Sequence, residues 1–221
     1  MRRFLAIALA SCSLMSVAGT SSAGTIWAST LGPLGLSRGD ATIGNFPGFY
    51  GGTFPGAFPV ALTPAEAEAA VLGPPDTSFL SLPGNEAADP TPSGAAFKWA
   101  FVDVAFGTNF SADADLEITE LGDNGESVYV FVWTVDGGNV QEVLTRGASD
   151  TLVLDLAPYA GFVAAHGGAF THVTLGGQDL LGASEGFDLD AVGIRVPEPA
   201  TLALLGLALA GLGFARRRKA H

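Results

Sequence analysis

From Ala96 onward, apolar and polar positions alternate with a period of two, which indicates β-strands. Asp115-Leu116-Glu117-Ile118-Thr119 alternates cleanly, so its carboxylates should face one side of a sheet and its aliphatic side chains the other. Residues 128–135 form a run of β-branched and aromatic residues, as expected for a strand covered on both faces. Asp136-Gly137-Gly138-Asn139 then predicts a tight hairpin turn. The predicted strands are 97–104, 115–119, 128–135, 140–144, 151–156, 171–175 and 191–196.

The preceding region lacks a clear period. Residues 25–62 are rich in Gly, Pro and Phe, and we expect an irregular segment with one short strand near 25–29. Thr63-Pro64-Ala65-Glu66 matches a capping box with proline at the first helical position, so a short helix should follow and stop at Gly73. The expected fold class is therefore all-β, an antiparallel β-sandwich with one short helix.

The amino terminus has the features of an export signal. Two arginines follow Met1, residues 4–17 are mostly apolar, and Ser21-Ser22-Ala23 offers small residues for cleavage, so the mature chain should begin at Gly24. An alternative is a lipoprotein processing site at Leu9-Ala10-Ser11-Cys12, in which Cys12 would be acylated. Cys12 is the only cysteine, so a mature chain from Gly24 has no disulfide or thiol chemistry.

The carboxyl terminus combines an extended motif, an apolar segment and a basic cluster. Val196 is followed by Pro-Glu-Pro, residues 200–215 carry no charge, and the chain then becomes Arg-rich. A helix of these 16 residues would span about 24 Å, a short transmembrane helix, at ~1.5 Å per residue. Because positive charge stays cytoplasmic, everything before Pro197 should lie outside the cytoplasm.

This tail resembles the PEP-CTERM sorting domain of Gram-negative bacteria. The resemblance implies a precursor anchored in the inner membrane, recognition by an exosortase-type membrane protease, and delivery to the cell surface or beyond. It also implies a link with exopolysaccharide and the biofilm matrix. The alternative is an ordinary anchor that is never cut. The motif residues are Pro197, Glu198, Pro199, Arg216, Arg217 and Arg218.

Charge narrows the possible partners. Residues 24–196 contain four basic and 21 acidic side chains, a net charge of −17. Such a field opposes binding to nucleic acid or anionic lipid. It offers carboxylates for a hard cation such as Ca²⁺, although most of them are expected to be solvated surface groups.

Four segments resemble, in the same order, those of jelly-roll, galactose-binding-like domains. The resemblance covers about residues 66–196 and implies a jelly-roll sandwich whose opening and closing segments lie side by side. The segments are Val71-Leu72-Gly73-Pro74-Pro75-Asp76, Asp115-Leu116-Glu117-Ile118-Thr119-Glu120, residues 130–137 and Gly186-Phe187-Asp188-Leu189-Asp190-Ala191-Val192.

If the opening and closing segments lie side by side, their carboxylates could form a structural Ca²⁺ site, because Ca²⁺ takes six to eight oxygen ligands. The alternative is that Asp188 points to solvent and Asp190 accepts backbone hydrogen bonds in a turn. The candidate ligands are Asp76, Asp115, Glu120, Asp188 and Asp190.

Aromatic residues are the candidates for stacking on sugar rings. Phe46, Phe49 and Tyr50 lie in the Gly/Pro-rich segment, where they either contact a polysaccharide or plug the end of the sandwich. Trp99 and Trp133 lie in predicted strands and are expected in the core.

Catalytic signals are weak. Gly182-Ala183-Ser184-Glu185-Gly186 fits a nucleophile elbow only formally, because a strand rather than a helix should follow it. His166 and His172 lack a further nitrogen or sulfur ligand nearby for zinc. We therefore assign no catalytic residue.

The sequence thus predicts four regions: a signal peptide (1–23), a Gly/Pro/Phe-rich segment (24–62), a β-sandwich (63–196) and a sorting and transmembrane tail (197–221). The expected function is that of an exported, non-enzymatic envelope or matrix protein that binds polysaccharide or other surface components. The alternatives are an extracellular glycan-processing enzyme on the same sandwich and a ligand-free structural coat protein.

Overall fold

A computed structural model describes residues 24–38, 48–84, 100–122, 125–177 and 186–197. Two antiparallel sheets form within these ranges. The strands are β1 (Gly24–Trp27), β2 (Thr30–Ser37), β3 (Phe49–Thr53), β4 (Val60–Leu62), β5 (Ser78–Leu82), β6 (Phe101–Phe110), β7 (Asp115–Glu120), β8 (Ser127–Thr134), β9 (Asn139–Thr145), β10 (Thr151–Asp155), β11 (Phe170–Gly177) and β12 (Phe187–Val196).

The first sheet has the order β10-β7-β12-β5-β3-β4, and β1 also pairs with β12. The second sheet has the order β2-β6-β11-β8-β9. This arrangement confirms the all-β, antiparallel sandwich and is compatible with a jelly roll. The galactose-binding-like relationship stays a prediction. The signal helix and the transmembrane helix fall outside the described residues.

The core lies between the two sheets and follows the period-two pattern. Leu116 and Ile118 of β7 are fully buried there, whereas Asp115 and Glu117, which alternate with them along the strand, are only half-buried, as predicted. The second sheet contributes Val173 and Leu175 of β11 to the same core. Within the described ranges, no helix is both long enough and apolar enough to cross a bilayer.

The predicted capping box is confirmed. Helix α1 (Pro64–Ala69) begins after Thr63, whose side chain accepts the Glu66 backbone N–H at 3.3 Å, while the Glu66 carboxylate accepts the Thr63 backbone N–H at 2.8 Å. A second helix, α2 (Ala160–Ala165), follows a 3-10 turn at Ala157–Tyr159 and was not predicted. Tyr159 at its N-cap makes no side-chain cap hydrogen bond, and the start signal lies earlier, where Asp155 Oδ1 accepts the Ala157 backbone N–H at 2.8 Å and Pro158 stands at the start of the 3-10 turn.

β1 confirms the short strand expected near residues 25–29, but the rest of the irregular segment predicted at residues 25–62 is wrong, since β2, β3 and β4 also lie in this region. The glycines in this region did not indicate strands, because glycine in a strand usually weakens it. Here glycine instead allows neighbouring strands to pack closely. A Cβ on Gly51 of β3 would collide with the Phe79 carbonyl of β5. The glycine-rich composition therefore reflects tight strand contacts.

Candidate functional site

The outer face of the second sheet carries a row of aromatic side chains. Along β8, Val128, Val130 and Val132 point into the core, so the alternate residues Tyr129, Phe131 and Trp133 point outward. Phe131 and Phe101 of β6 are buried, 1% and 8% exposed, and form a small separate hydrophobic cluster. Tyr129 and Trp133 pack against this cluster and are half-buried, so they are the aromatic members that a ligand can reach. We call Phe101, Tyr129, Phe131, Trp133 and the neighbouring His172 the aromatic face. The prediction that Trp133 belongs to the core is wrong, because a strand in a two-layer sandwich has only one inner side.

Trp133 is held in place from two sides. Its indole N–H donates to Thr174 Oγ1 at 2.8 Å. The ring of His172 on β11 lies almost parallel to the indole, with 5.6 Å between centroids and 7° between planes. The indole orientation is thus fixed by protein contacts, which lowers the entropy lost when a ligand stacks on it.

A buried carboxylate lies on the same outer side of the sheet as this tryptophan, two strands away on β6. Asp103 of β6 is fully buried and accepts the Thr174 hydroxyl at 2.9 Å and the Leu34 backbone N–H at 2.8 Å. The irregular part of β2 covers Asp103 so closely that a Cβ on Gly32 would overlap its carboxylate. Burial raises the pKa of Asp103 to about 6, against the opposing effect of these two hydrogen bonds.

The network continues to His172. Its Nδ1 lies 2.7 Å from Thr171 Oγ1, and its Nε2 lies 3.9 Å from Asp103 Oδ1. Burial lowers the pKa of His172, so the imidazole is neutral at neutral pH. Sequence reasoning missed this network, although an aspartate inside the apolar run Phe101-Val102-Asp103-Val104 was a usable signal.

A cavity of about 370 Å³ adjoins the aromatic face. Tyr129 and Phe131 line it together with Gln141, Glu142 and Val143 of β9. Glu142 lies opposite Val130, so its side chain is on the core side of β9, where its carboxylate accepts the Tyr159 hydroxyl. A ligand in this cavity would meet the Tyr129 ring next to the Gln141 amide, a combination suited to a molecule with apolar faces and hydroxyl edges.

The predicted calcium ligands do not form one cluster. Asp190 accepts the backbone N–H groups of Asp76 at 3.1 Å and Thr77 at 3.2 Å, so the opening and closing segments do meet, as the resemblance implied. Asp188 is buried and accepts the Ser81 hydroxyl, which corrects the alternative that it faces solvent. Asp115 lies at the opposite end of β7 from Glu120, roughly 17 Å away at ~3.4 Å per residue.

Glu120 already has a cation. Its carboxylate is fully buried, Arg146 Nε lies 2.5 Å from Glu120 Oε2, and the Gly122 backbone N–H donates to Oε1. Burial raises the pKa of Glu120, and the Arg146 guanidinium opposes this. Across the described ranges, no three His, Cys, Asp or Glu side chains are grouped closely enough to hold a metal ion.

We therefore expect a chelator to leave the melting temperature unchanged, since Asp188, Asp190 and Glu120 take their partners from the protein. Thermal unfolding with and without EDTA measures this, and re-adding Ca²⁺ is the control. A fall in melting temperature that Ca²⁺ reverses would contradict it.

The aromatic residues predicted to stack on sugars differ in how far they are exposed to solvent. Tyr50 is buried, 2% exposed, so its ring is not accessible to a ligand, and Phe49 packs partly against the core. Phe46 lies outside the described residues. Phe54 and Phe58 of the same region remain 49% and 39% exposed.

The two histidines lie in separate environments. His166 stacks on Phe162 with centroids 4.2 Å apart, and its Nδ1 lies 3.1 Å from Asp136 Oδ2, whereas His172 belongs to the aromatic face. Ser184 lies outside the described residues.

The last described residues, 196 and 197, lie at the junction between the sandwich and the carboxyl-terminal tail. The last residue of β12, Val196, pairs with Gly24, the first residue of β1, and Pro197 follows exposed to solvent. Residues 195–219 match a family model described as the PEP-CTERM protein-sorting motif. The chain ends in a PEP-CTERM sorting motif. This motif indicates an exported, surface-sorted protein with a membrane-anchored precursor that exosortase, a membrane protein, processes.

The motif covers only the tail. No curated protein and no solved structure matches the chain. The function of the sandwich must therefore be argued from its own residues.

Proposed function

We propose that this exported protein is a non-enzymatic component of the cell surface or biofilm matrix, and that its aromatic face binds polysaccharide. The observation that carries the proposal is the half-buried pair Tyr129 and Trp133 on the outer side of the second sheet, next to a cavity of about 370 Å³. Aromatic rings bind the apolar faces of sugars, and neighbouring polar groups bind the hydroxyls. Gln141, which lies opposite Phe131, supplies such a polar group.

The fixed orientation of Trp133 is compatible with binding. A chain of hydrogen bonds runs from its indole through Thr174 to the buried Asp103. This chain ties β8, β11, β6 and β2 together on the outer side of the sheet. The face is thus preorganised across four strands, which favours affinity.

Charge selects the class of glycan. The region 24–196 carries a net charge of −17. An anionic polysaccharide would be repelled, whereas a neutral polymer or one containing amino sugars would not. We expect the strongest binding with neutral or amino-sugar polymers.

The test is an array of matrix polysaccharides probed with residues 24–196, in wild-type form and as Trp133→Ala and Tyr129→Ala. Each substitution should weaken binding about tenfold, because one aromatic contact contributes on the order of 1 kcal/mol or more. Val153→Ala is the matched control, since Val153 is 48% exposed on β10 of the other sheet.

The outcomes separate the three functions. Binding that both aromatic substitutions weaken, with the control unchanged, supports the proposal. Release of shortened glycan would indicate the enzyme, and absence of binding to any polymer would indicate the ligand-free coat protein. Near-ultraviolet circular dichroism and melting curves check that the variants keep their fold.

A further inference from the structure

The sorting motif overlaps the folded sandwich. The match begins at residue 195, and β12 extends to Val196, so the first two residues of the motif lie in the first sheet. There Arg195 pairs with Thr25 and Val196 with Gly24. A protease that binds this segment from its beginning therefore meets residues that are already paired.

The two sides of β12 hold this end unequally. On one side, β7 pairs with β12 from Leu189 to Arg195, and the Arg195 guanidinium binds Glu117 at 3.1 Å. On the other side, β1 contributes only four residues, all of them half-buried or exposed. Short terminal strands open at low free-energy cost, so β1 is the side that can leave.

Trp27 makes the largest side-chain contact of β1 with β12. It lies opposite Gly193, and a Cβ at Gly193 would come within 2.8 Å of Trp27 Cε3, so the indole packs against the bare backbone of β12. Thr25 also packs against Gly193, and its hydroxyl donates to Glu117 at 3.4 Å. The Ala28 backbone N–H adds a hydrogen bond to the Val192 carbonyl at 2.8 Å. Loss of the indole would therefore weaken the attachment of β1 to this edge.

We propose that β1 is a displaceable guard strand of the sorting segment, and that exosortase competes with β1 for the end of β12. When β1 leaves, residues 193–196 become an open strand edge, and such edges bind partners by adding a strand. Cleavage of the tail is then limited by opening of β1. The partner surface is the edge of β12 that Gly24–Trp27 covers.

The test locks β1 in place within the full-length precursor. Ile26 and Ile194 are directly opposed, and opposed residues on antiparallel strands lie about 4.5–5.5 Å apart between Cα atoms, within disulfide range. Membranes that contain exosortase are supplied with the Ile26→Cys/Ile194→Cys precursor, oxidised or reduced, and tail cleavage is followed by mass spectrometry. We expect cleavage of the oxidised form to be about tenfold slower or more.

Two further variants complete the design. Ser127→Cys/Thr145→Cys links directly opposed residues of β8 and β9 in the other sheet, and its oxidised and reduced forms should be cleaved equally fast. Trp27→Ala loosens β1 without touching the motif and should be cleaved several-fold faster than the wild type. Equal rates for the oxidised and reduced Ile26→Cys/Ile194→Cys protein, or no acceleration in Trp27→Ala, would overturn the proposal.

Discussion

Replacing Arg146 with methionine should lower the free energy of unfolding by about 3–5 kcal/mol, because removal of one partner leaves the other charge buried and uncompensated. Glu120 is fully buried, and Arg146 Nε is its cationic partner at 2.5 Å. The same guanidinium also donates to the Gly122 carbonyl and to the Asp150 carboxylate. The Arg146 side chain thus links the loop between β7 and β8 to the loop between β9 and β10.

Urea unfolding at neutral pH measures this loss, and two variants make it interpretable. Arg195→Met removes the more exposed pair with Glu117, so its cost should stay below about 1 kcal/mol. The double variant Glu120→Gln/Arg146→Met removes both charges of the pair, but Glu126, which is 1% exposed and hydrogen-bonded to Glu120, stays buried, so the variant should recover only part of the stability. If Arg146→Met costs no more than Arg195→Met, the buried pair does not stabilise this end of the sandwich.

Replacing Asp103 with asparagine should remove a pH dependence of stability. Burial raises the folded-state pKa of Asp103 from 3.8 to about 6, so the folded protein binds this proton more tightly than the unfolded chain. Its contribution to stability is therefore complete below about pH 4 and is lost as the pH rises through 6. The asparagine has no such titration. Relative to the variant, the wild type should lose about 2–2.5 kcal/mol between pH 4 and pH 7.

Urea unfolding of both proteins across this range tests the prediction as a difference, which cancels titrations that the two proteins share. Glu120 and Asp190 also have raised pKa values, and they contribute equally to both curves. His172, whose Nε2 lies 3.9 Å from Asp103, is the neighbour that could differ, so His172→Gln in both backgrounds is the control. A constant difference between pH 4 and pH 7 would contradict the burial argument.

Local rules predicted the parts of the fold that local physics determines. The capping box at Thr63 and Glu66 satisfies backbone donors within four residues, and the alternation in β7 follows from the pleat of a single strand. The hairpin between β8 and β9 needs only its own turn residues. The tail motif is likewise contiguous in sequence, and the family match confirmed it.

Features that depend on distant neighbours could not be predicted in this way. In the sequence, Gly51 indicates a loop, whereas in the structure it lies in a strand packed closely against Phe79. Trp133 likewise indicates a core residue, and only the arrangement of the sheets shows that it faces outward. The prediction of a calcium site included Glu120 as a ligand, because the sequence does not show that Arg146, 26 residues later, pairs with this carboxylate. In each case the deciding contact joins residues that are far apart in sequence.

The pairing of Gly24 with Val196 has a consequence for engineering. Because the two ends of the sandwich lie on neighbouring strands, a short peptide could join them into a continuous backbone, and new termini could be opened at the exposed turn near Gly137. Such a circular permutant would keep both sheets while separating the sandwich from its membrane attachment.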